Sequence, residues 1–156
     1  RVSEADGYVT GVHAMRFSPD ASKFVISDQS DTAFICDTRT GEQLHALRGH
    51  TDHVGAALFT RDGRGVVTLS TDRTVRHWSV SDGRETAAGH GHTFRPSGLD
   101  LSPDGRYLAT CALDGTVRVW DASRIAGGIV VARKNTDDEE RLNHEGHEEH
   151  EEGANT

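Results

Sequence analysis

A repeat of 42 residues runs through this chain of 156 residues and restricts the folds that it can adopt. Shifting the sequence by 42 positions, without any gap, places His50 on His92 and Trp78 on Trp120. Shifting it twice matches Phe-Ser-Pro-Asp at 17–20 with Leu-Ser-Pro-Asp at 101–104. Because periods of roughly 20–50 residues are typical of repeat proteins, we expect three copies of one structural unit.

Each copy has the pattern of short strands separated by turns. The Ser-Pro-Asp-Gly run at 102–105 predicts a turn, since Pro presets φ and Gly tolerates a positive φ. The segments between turns are rich in β-branched and aromatic residues, and they are too short for helices. The expected strands, four per period, are 14–17, 24–27, 33–36, 42–47, 56–59, 66–69, 74–80, 84–88, 98–101, 107–111, 116–120 and 127–132.

Several motifs recur at fixed spacing: Gly-His at 49–50 and 91–92, Asp-x-Thr-Val-Arg at 72–76 and 114–118, and Trp-Asp at 120–121. Over about residues 7–121 the chain thereby resembles the WD-repeat (WD40) β-propeller family. The resemblance implies an all-β fold of four-stranded antiparallel blades around a central channel. We expect three blades in an open arc within residues 1–133, with repeats at about 7–48, 49–90 and 91–133.

The polar residues that recur in the second and third copies look, in this family, like a structural hydrogen-bond relay. Each Asp would accept a hydrogen bond from one His nitrogen, and each Thr would bridge the other nitrogen to the Trp indole. Ser/Thr, His and Asp are also the residue types of a hydrolase triad, but recurrence at one spacing suits a framework better than a single active site. The expected relay residues are His50, Thr68, Asp72, Trp78, His92, Thr110, Asp114 and Trp120.

The first copy departs from the relay at every position, with Tyr8, Ile26, Ser30 and Cys36 in place of His, Thr, Asp and Trp. Replacing the whole set avoids stranding one polar partner without the others. We therefore expect a blade of the same shape with looser packing. The residues expected to hold it together are Phe17, Phe24, Val25, Phe34 and Ile35.

The loops before the first strand of each unit are the candidate contacts for a partner. Phe94 and Arg95 come first, because aromatic residues and Arg are enriched at binding hot spots. On the strands, we expect Arg76 and Arg118 to point outward and either pair with acidic neighbours or contact a partner, and we expect His77 to be a partly buried packing residue. The loop candidates are Thr51, Asp52, His53, Thr93, Phe94 and Arg95.

Charge separates the repeats from the C-terminal segment. Residues 134–156 carry nine acidic and two basic residues and account for −7 of the formal net charge of −8, so the repeats are nearly neutral. This balance argues against nucleic-acid binding, and 134–156 reads as a disordered acidic tail. His144, His147 and His150 are weak metal-ligand candidates, because Gly146 disfavours a helix there and no packed second shell is at hand. We expect no metal and no cofactor.

These features favour a non-enzymatic scaffold module that binds protein or peptide partners. The alternative is a regulatory or sensing propeller segment of a larger enzyme, such as a protein kinase whose catalytic domain lies outside this chain. No apolar run approaches the ~20 residues of a membrane-spanning helix, and two cysteines without metal or disulfide spacing suit the cytoplasm. Three blades leave two open flanks, so we expect further repeats upstream or self-association.

Overall fold

The computed structural model describes residues 12–122 and the backbone of residues 129–133. Within these ranges the chain forms three four-stranded antiparallel sheets, which we call blades 1 to 3. Blade 1 comprises β1 (Val12–Phe17), β2 (Lys23–Asp28), β3 (Thr32–Asp37) and β4 (Gln43–Arg48). Blade 2 comprises β5 (Val54–Phe59), β6 (Gly65–Ser70), β7 (Thr74–Ser79) and β8 (Glu85–His90). Blade 3 comprises β9 (Pro96–Leu101), β10 (Tyr107–Ala112), β11 (Thr116–Asp121) and β12 (Ile129–Arg133).

Consecutive strands are hydrogen-bonded neighbours in every blade, so each blade is a simple meander. The predicted all-β fold of three separate four-stranded sheets is confirmed, and none of the three sheets closes into a barrel. The first strands of adjacent blades contact each other, β1 with β5 and β5 with β9, which places them along the inner edge of an open arc. The expected tail at 134–156 and the relay position Tyr8 lie outside the described residues.

The turn between the first two strands of each blade is built by one hydroxyl and one carboxylate. In blade 3, Ser102 Oγ donates to Asp104 Oδ1 at 2.6 Å and accepts from the Tyr107 amide at 2.9 Å. Thr60 and Asp62 repeat this pair in blade 2, and Ser18 and Asp20 repeat it in blade 1. The shared side-chain bonds explain why a Ser/Thr-x-Asp pattern recurs with the period.

The hydrophobic core lies between the blades. Val25, Ala33 and Ile35 of blade 1 are fully buried against a face of blade 2 that includes Phe59 and Val66. A second cluster joins the opposite face of blade 2 to blade 3; its buried members are Val67, Leu69, Val75, Leu108 and Trp120. Blade 2 is therefore covered on both faces, whereas blades 1 and 3 each have one face without a described neighbour.

Blade 1 uses its expected core residues in two different ways. Val25 and Ile35 are fully buried against blade 2. Phe17, in contrast, is 54% exposed, and Phe24 and Phe34 are half-buried, because these rings point to the face away from blade 2. These aromatic residues therefore lie on the face of blade 1 that points away from blade 2.

Candidate functional site

The four relay residues of blade 2 meet in the structure through hydrogen bonds between distant strands and loops. His50, in the loop between β4 and β5, has Nδ1 2.8 Å from Asp72 Oδ2 and Nε2 2.7 Å from Thr68 Oγ1. The Trp78 indole Nε1 donates to the same Thr68 Oγ1 at 2.8 Å. His50, Thr68 and Trp78 are each at most 4% exposed, so water cannot replace these bonds.

This geometry assigns the hydrogen on the His50 ring. Thr68 Oγ1 accepts from the Trp78 N–H, which leaves its own O–H to donate to His50 Nε2. The ring must then carry its hydrogen on Nδ1, and this N–H donates to the Asp72 carboxylate. One Thr hydroxyl thus fixes the tautomer of His50 and satisfies the indole of Trp78.

Blade 3 repeats the arrangement 42 residues later. His92 Nε2 lies 2.8 Å from Thr110 Oγ1, and Trp120 Nε1 donates to that oxygen at 2.8 Å. His92 Nδ1 lies 3.2 Å from Asp114 Oδ2. The relays of blades 2 and 3 thus share one geometry.

A fifth residue in each relay was missed at the sequence level. Thr74 Oγ1 donates to Asp72 Oδ1 at 2.7 Å and lies 3.1 Å from His50 Nδ1. Thr116 makes the same pair of contacts with Asp114 and His92 in blade 3. The sequence carries a signal for it, because Thr recurs at this position with the 42-residue period, but a β-branched residue there is equally expected in a strand.

The relay carboxylates are stabilised in their charged form. Burial alone would raise the pKa of Asp72, but hydrogen bonds from the His50 ring, the Thr74 hydroxyl and amide, and the Thr51 amide hold that pKa well below its usual range. The pKa of Asp114 is held down in the same way against the effect of burial, mainly by Thr116 and the Thr93 amide. Both aspartates therefore stay ionised at neutral pH.

Blade 1 replaces the relay by other contacts. Ile26 and Cys36 occupy the positions of the Thr and Trp, and burial raises the pKa of the Cys36 thiol. Ser30 takes over one task of the missing aspartate, since its Oγ accepts from the Thr32 amide at 3.2 Å as Asp72 Oδ1 accepts from the Thr74 amide. The turn is thus retained although the buried histidine site is not.

The relay aspartates also hold the loops that lead into β5 and β9. The Thr51 amide donates to Asp72 Oδ2 at 3.1 Å, and the Thr93 amide donates to Asp114 Oδ2 at 2.8 Å. The next residues of these loops are tied to the strand turns beside them. The Thr71 amide donates to the His53 carbonyl and the Leu113 amide donates to the Arg95 carbonyl, each at 2.9 Å.

A cavity of about 430 Å³ opens at this end of the inner strands and is lined by all three blades. Blade 1 contributes residues from the start of β1 and the end of β2, and blades 2 and 3 contribute the loops just described. We call this region the rim cavity; the lining residues that matter below are His13, Asp28, His53, Thr71, Arg95 and Leu113. A cleft of about 610 Å³ on the opposite rim is lined by blades 1 and 2 only.

Two of the predicted partner contacts, His53 and Arg95, line the rim cavity directly. Phe94, next to Arg95, is 55% exposed, and Leu113, on the adjacent turn, is 66% exposed. The His53 amide and the Thr71 hydroxyl lower the pKa of Asp52, with a smaller contribution from the charge of Arg95. The cavity edge thus combines exposed apolar groups with charges of both signs.

Comparison with protein families agrees with this architecture. The family model described as "WD domain, G-beta repeat" matches residues 41–79 and 83–121, which together make up half of the chain. The chain belongs to the WD40 family. Each WD40 match begins with the outermost strand of one blade and ends with the third strand of the next, β4 to β7 and β8 to β11. Adjacent blades are therefore linked through a shared repeat, and the relay histidine lies in that link.

The WD40 relatives of this chain are much longer proteins. WD repeat-containing protein 1 of Bos taurus is 34% identical over 73 residues, which are 45% of this chain and 12% of the relative. Apoptotic protease-activating factor 1 of Rattus norvegicus is 36% identical over 66 residues, which are 42% of this chain and 5% of the relative. Autophagy-related protein 16 of Arabidopsis thaliana is 30% identical over 78 residues, which are 49% of this chain and 15% of the relative. The chain spans no more than 15% of the length of these three relatives.

Arg76, on the third strand of blade 2, pairs with an acidic residue of the same blade. Arg76 Nη1 lies 2.5 Å from Glu85 Oε2, and the Arg76 side chain is only 17% exposed. A Cβ atom at Gly49 would lie 3.1 Å from Arg76 Nη1 and 3.2 Å from the Trp78 ring. In the same way, a Cβ atom at Gly91 would lie 2.9 Å from Arg118 Nη1. The glycine of each Gly-His motif thus makes room for the arginine, and Arg76 is directed toward Glu85 more than toward solvent.

Three further expectations concern His77, a metal site and a membrane-spanning segment. His77 is half-buried, as the sequence indicates, and burial lowers its pKa. Within the described part of the chain no group of three His, Cys, Asp or Glu residues has the arrangement of a metal site, and His144, His147 and His150 lie outside it. The described residues contain no helix that could span a membrane.

Proposed function

We propose that this chain is a non-enzymatic protein-interaction module that binds a peptide segment of a partner at the rim cavity. The observation that carries the proposal is that one cavity joins the inner strands of all three blades. A ligand that lies across it contacts every blade, whereas a ligand in the opposite cleft contacts two. WD40 repeats are typical of protein-interaction scaffolds, which agrees with this use of the rim.

The side chains around the rim cavity suit peptide recognition. Phe94 and Leu113 offer apolar contact area, and Arg95 offers a fixed pattern of hydrogen-bond donors for carboxylates or backbone carbonyls. His13 and His53 add ring nitrogens, Asp28 supplies a carboxylate to the lining, and Asp52 adds a second carboxylate beside His53. This mixture fits a peptide with an apolar anchor flanked by polar groups.

The relay contributes to binding by fixing the loops before a partner arrives. Asp72 and Asp114 each accept from a loop amide, at Thr51 and at Thr93. Loops that are ordered in advance lose less conformational entropy on binding, which strengthens the affinity. The repeated residues therefore position the rim, and the residues that differ between copies make the contacts.

The burial of the relay argues against a catalytic use of its residues. Thr68 and Thr110 carry the hydroxyls that, within the described residues, bond Nε2 of His50 and His92, and both residues are at most 1% exposed. A nucleophile must reach its substrate, and each of these oxygens already bonds an indole and an imidazole. Both cysteines are free thiols, which supports our placement of the module in a reducing compartment such as the cytoplasm.

The proposal is tested by selecting binders from a random peptide library displayed on phage, using the full chain as bait. Selected peptides are synthesised and titrated by calorimetry into the wild type, Arg95→Ala and Phe94→Ala. Each substitution should weaken binding by about tenfold or more, as expected for hot-spot residues.

Two control variants lie away from the rim cavity and match the first pair in chemistry. Arg84→Ala removes an arginine whose side chain is 85% exposed, and Leu44→Ala removes an apolar side chain that is 41% exposed. Both should leave the affinity unchanged. Failure to select any peptide, or peptides that bind Arg95→Ala and Phe94→Ala as tightly as the wild type, would contradict the proposal.

A further inference from the structure

The cleft of about 610 Å³ on the rim opposite the rim cavity carries charges of one sign. We call it the opposite cleft. Among its described lining residues there are cationic side chains and no carboxylate. Its volume lies in the range of roughly 300–1,000 Å³ that is typical of ligand sites. The lining residues that matter below are Lys23 and His45 of blade 1 and Arg64, Ser79 and Ser81 of blade 2.

The two strongest cations of the opposite cleft are not neutralised by a direct partner. In the part of the chain that the structure describes, neither Lys23 nor Arg64 forms an ion pair. The half-buried Lys23 ammonium donates only to the neutral Ser22 hydroxyl, at 3.2 Å. The carboxylate closest in sequence to Arg64 is used by its own turn, because Asp62 Oδ1 accepts from the Thr60 hydroxyl at 2.6 Å and from the Arg64 amide at 3.0 Å. The ammonium and the guanidinium are therefore available to an anion.

The equivalent arginine of blade 3 is placed differently. Arg106, 42 residues after Arg64, has its guanidinium over the Tyr107 ring, 5.5 Å from the ring centroid. Gly65 occupies the position of that tyrosine in blade 2, so Arg64 has no such ring beside it. The groove of about 400 Å³ between blades 2 and 3, which Arg64 also borders, includes two aspartates in its lining. The cationic character is thus a property of the cleft between blades 1 and 2 and does not recur with the repeat.

One wall of the opposite cleft adds neutral hydrogen-bonding groups. The outer strand of blade 1 packs so closely on the β7–β8 turn that a Cβ atom at Gly83, which has a φ of 70°, would lie 3.0 Å from His45 Cβ. Ser79 Oγ and Ser81 Oγ lie 2.9 Å apart on the same wall. A hydrogen bond from the Ser79 hydroxyl lowers the pKa of Asp82, so the carboxylate of this turn is also used locally. An imidazole and an exposed serine hydroxyl therefore accompany the two cations.

We propose that the opposite cleft binds a phosphate monoester, carried by a phosphoserine side chain or by a small ester. A phosphate monoester has a charge of about −1.5 to −2 at pH 7, which matches Lys23 and Arg64 together, whereas one carboxylate would neutralise only one of them. Its three terminal oxygens can accept from the guanidinium, the ammonium and the Ser81 hydroxyl at once. The opposite cleft shares no described lining residue with the rim cavity, so either site can fail without the other.

Fluorescence anisotropy of the full chain tests the proposal with a labelled pool of short peptides that have a central phosphoserine and randomised flanks. This pool should bind at least about ten times more tightly than the same pool with unmodified serine. Arg64→Gln and Lys23→Met should each weaken binding by roughly tenfold or more, because each removes a hydrogen bond from a charged donor. Arg64 is exposed, so Arg64→Gln should keep the wild-type circular dichroism spectrum.

Arg106→Gln is the matched control, because it removes the same charge at the equivalent position of blade 3, outside the described lining of the opposite cleft. It should leave the affinity unchanged. Calorimetric titration with phenyl phosphate distinguishes the two sources of the phosphate group: affinity equal to that of the phosphoserine pool indicates a small ester, and much weaker affinity indicates phosphoserine within a chain. The proposal is overturned if neither probe binds, if both peptide pools bind equally, or if Arg106→Gln weakens binding as much as Arg64→Gln.

Discussion

Thr68 Oγ1 lies 2.8 Å from the indole nitrogen of Trp78, across two adjacent strands of the same blade. The hydroxyl is fully buried and also lies 2.7 Å from His50 Nε2, so it is the point at which the β4–β5 loop is joined to the sheet. Thr110 and Trp120 form the same pair at 2.8 Å in blade 3. The consequences of this contact for stability can be measured directly.

Replacing Thr68 by Val should destabilise the chain strongly. Val keeps the shape of the side chain but leaves His50 Nε2 and the Trp78 N–H buried without a partner. Because an unsatisfied buried polar group costs ~1–3 kcal/mol, we expect the free energy of unfolding to fall by about 2–4 kcal/mol in urea denaturation.

Ser27→Ala serves as the control for that measurement. Ser27 is also fully buried in a second strand, but within the described residues its hydroxyl has no hydrogen-bond partner. Removing it should leave the free energy of unfolding unchanged or raise it by up to about 1 kcal/mol. If Ser27→Ala cost as much as Thr68→Val, the loss would reflect a buried hydroxyl in general and not the relay.

Acid should weaken the fold through the relay carboxylates. The pKa values of Asp72 and Asp114 are lower in the folded chain than the ordinary value of 3.8. Their stabilising effect is therefore fully present above the ordinary pKa and is lost as the pH falls below it. The free energy of unfolding should decline from about pH 5 downward, when urea denaturation is repeated at successive pH values.

Variants identify how much of this decline belongs to the relay. Turn carboxylates also contribute; the Ser18 hydroxyl and the Ser22 amide, for example, lower the pKa of Asp20 to about 2. Asp72→Asn and Asp114→Asn should therefore reduce stability at pH 7 and flatten the acid decline without abolishing it. Asp100→Asn, at an exposed carboxylate outside the relay, is the control. An equal effect of all three substitutions would assign the decline to general charge.

The turn after Asp72 contains a backbone position that favours glycine. Arg73 has a φ of 72°, and its equivalent in blade 3 is Gly115, with a φ of 74°. A left-handed conformation costs a residue with a Cβ atom roughly 1–2 kcal/mol, part of which is offset by the greater chain entropy of glycine in the unfolded state. Arg73→Gly should raise the free energy of unfolding by up to about 1 kcal/mol, and Gly115→Ala should lower it. If Arg73→Gly instead lowered the free energy of unfolding, the Arg73 side chain would be what holds the turn.

The sequence was sufficient to predict the fold because turn signals and the relay motif share one period. All twelve strands lie where the pattern predicts them, and the differences are of one or two residues at strand ends, as at β5, which begins at Val54. The aromatic residues of blade 1 were harder to interpret. A hydrophobic residue in a strand shows that one face is apolar, but only the packing of blade 2 shows that Phe17 is on the side without a described neighbour.

Single residues of the candidate site could be predicted from the sequence, but the cavity that they share could not. His53 and Arg95 were identified from loop position and residue type, but their common cavity depends on how three blades are arranged around the inner edge. His13, Asp28 and Leu113 line the same cavity and carry no signal in the sequence, because they belong to three different strands or turns. The ion pair between Arg76 and Glu85 could not be predicted from the sequence either, because charged residues at these strand positions are equally expected to face solvent.

The central claim is that repeated residues stabilise the blades while residues unique to one copy contact the partner. Calorimetric titration of one selected peptide, combined with urea denaturation of the same proteins, tests it most directly. Arg95→Ala should weaken peptide binding about tenfold and change the free energy of unfolding by less than about 0.5 kcal/mol. The account is contradicted if Arg95→Ala binds the peptide with wild-type affinity, or if its loss of binding is matched by an equal loss of stability.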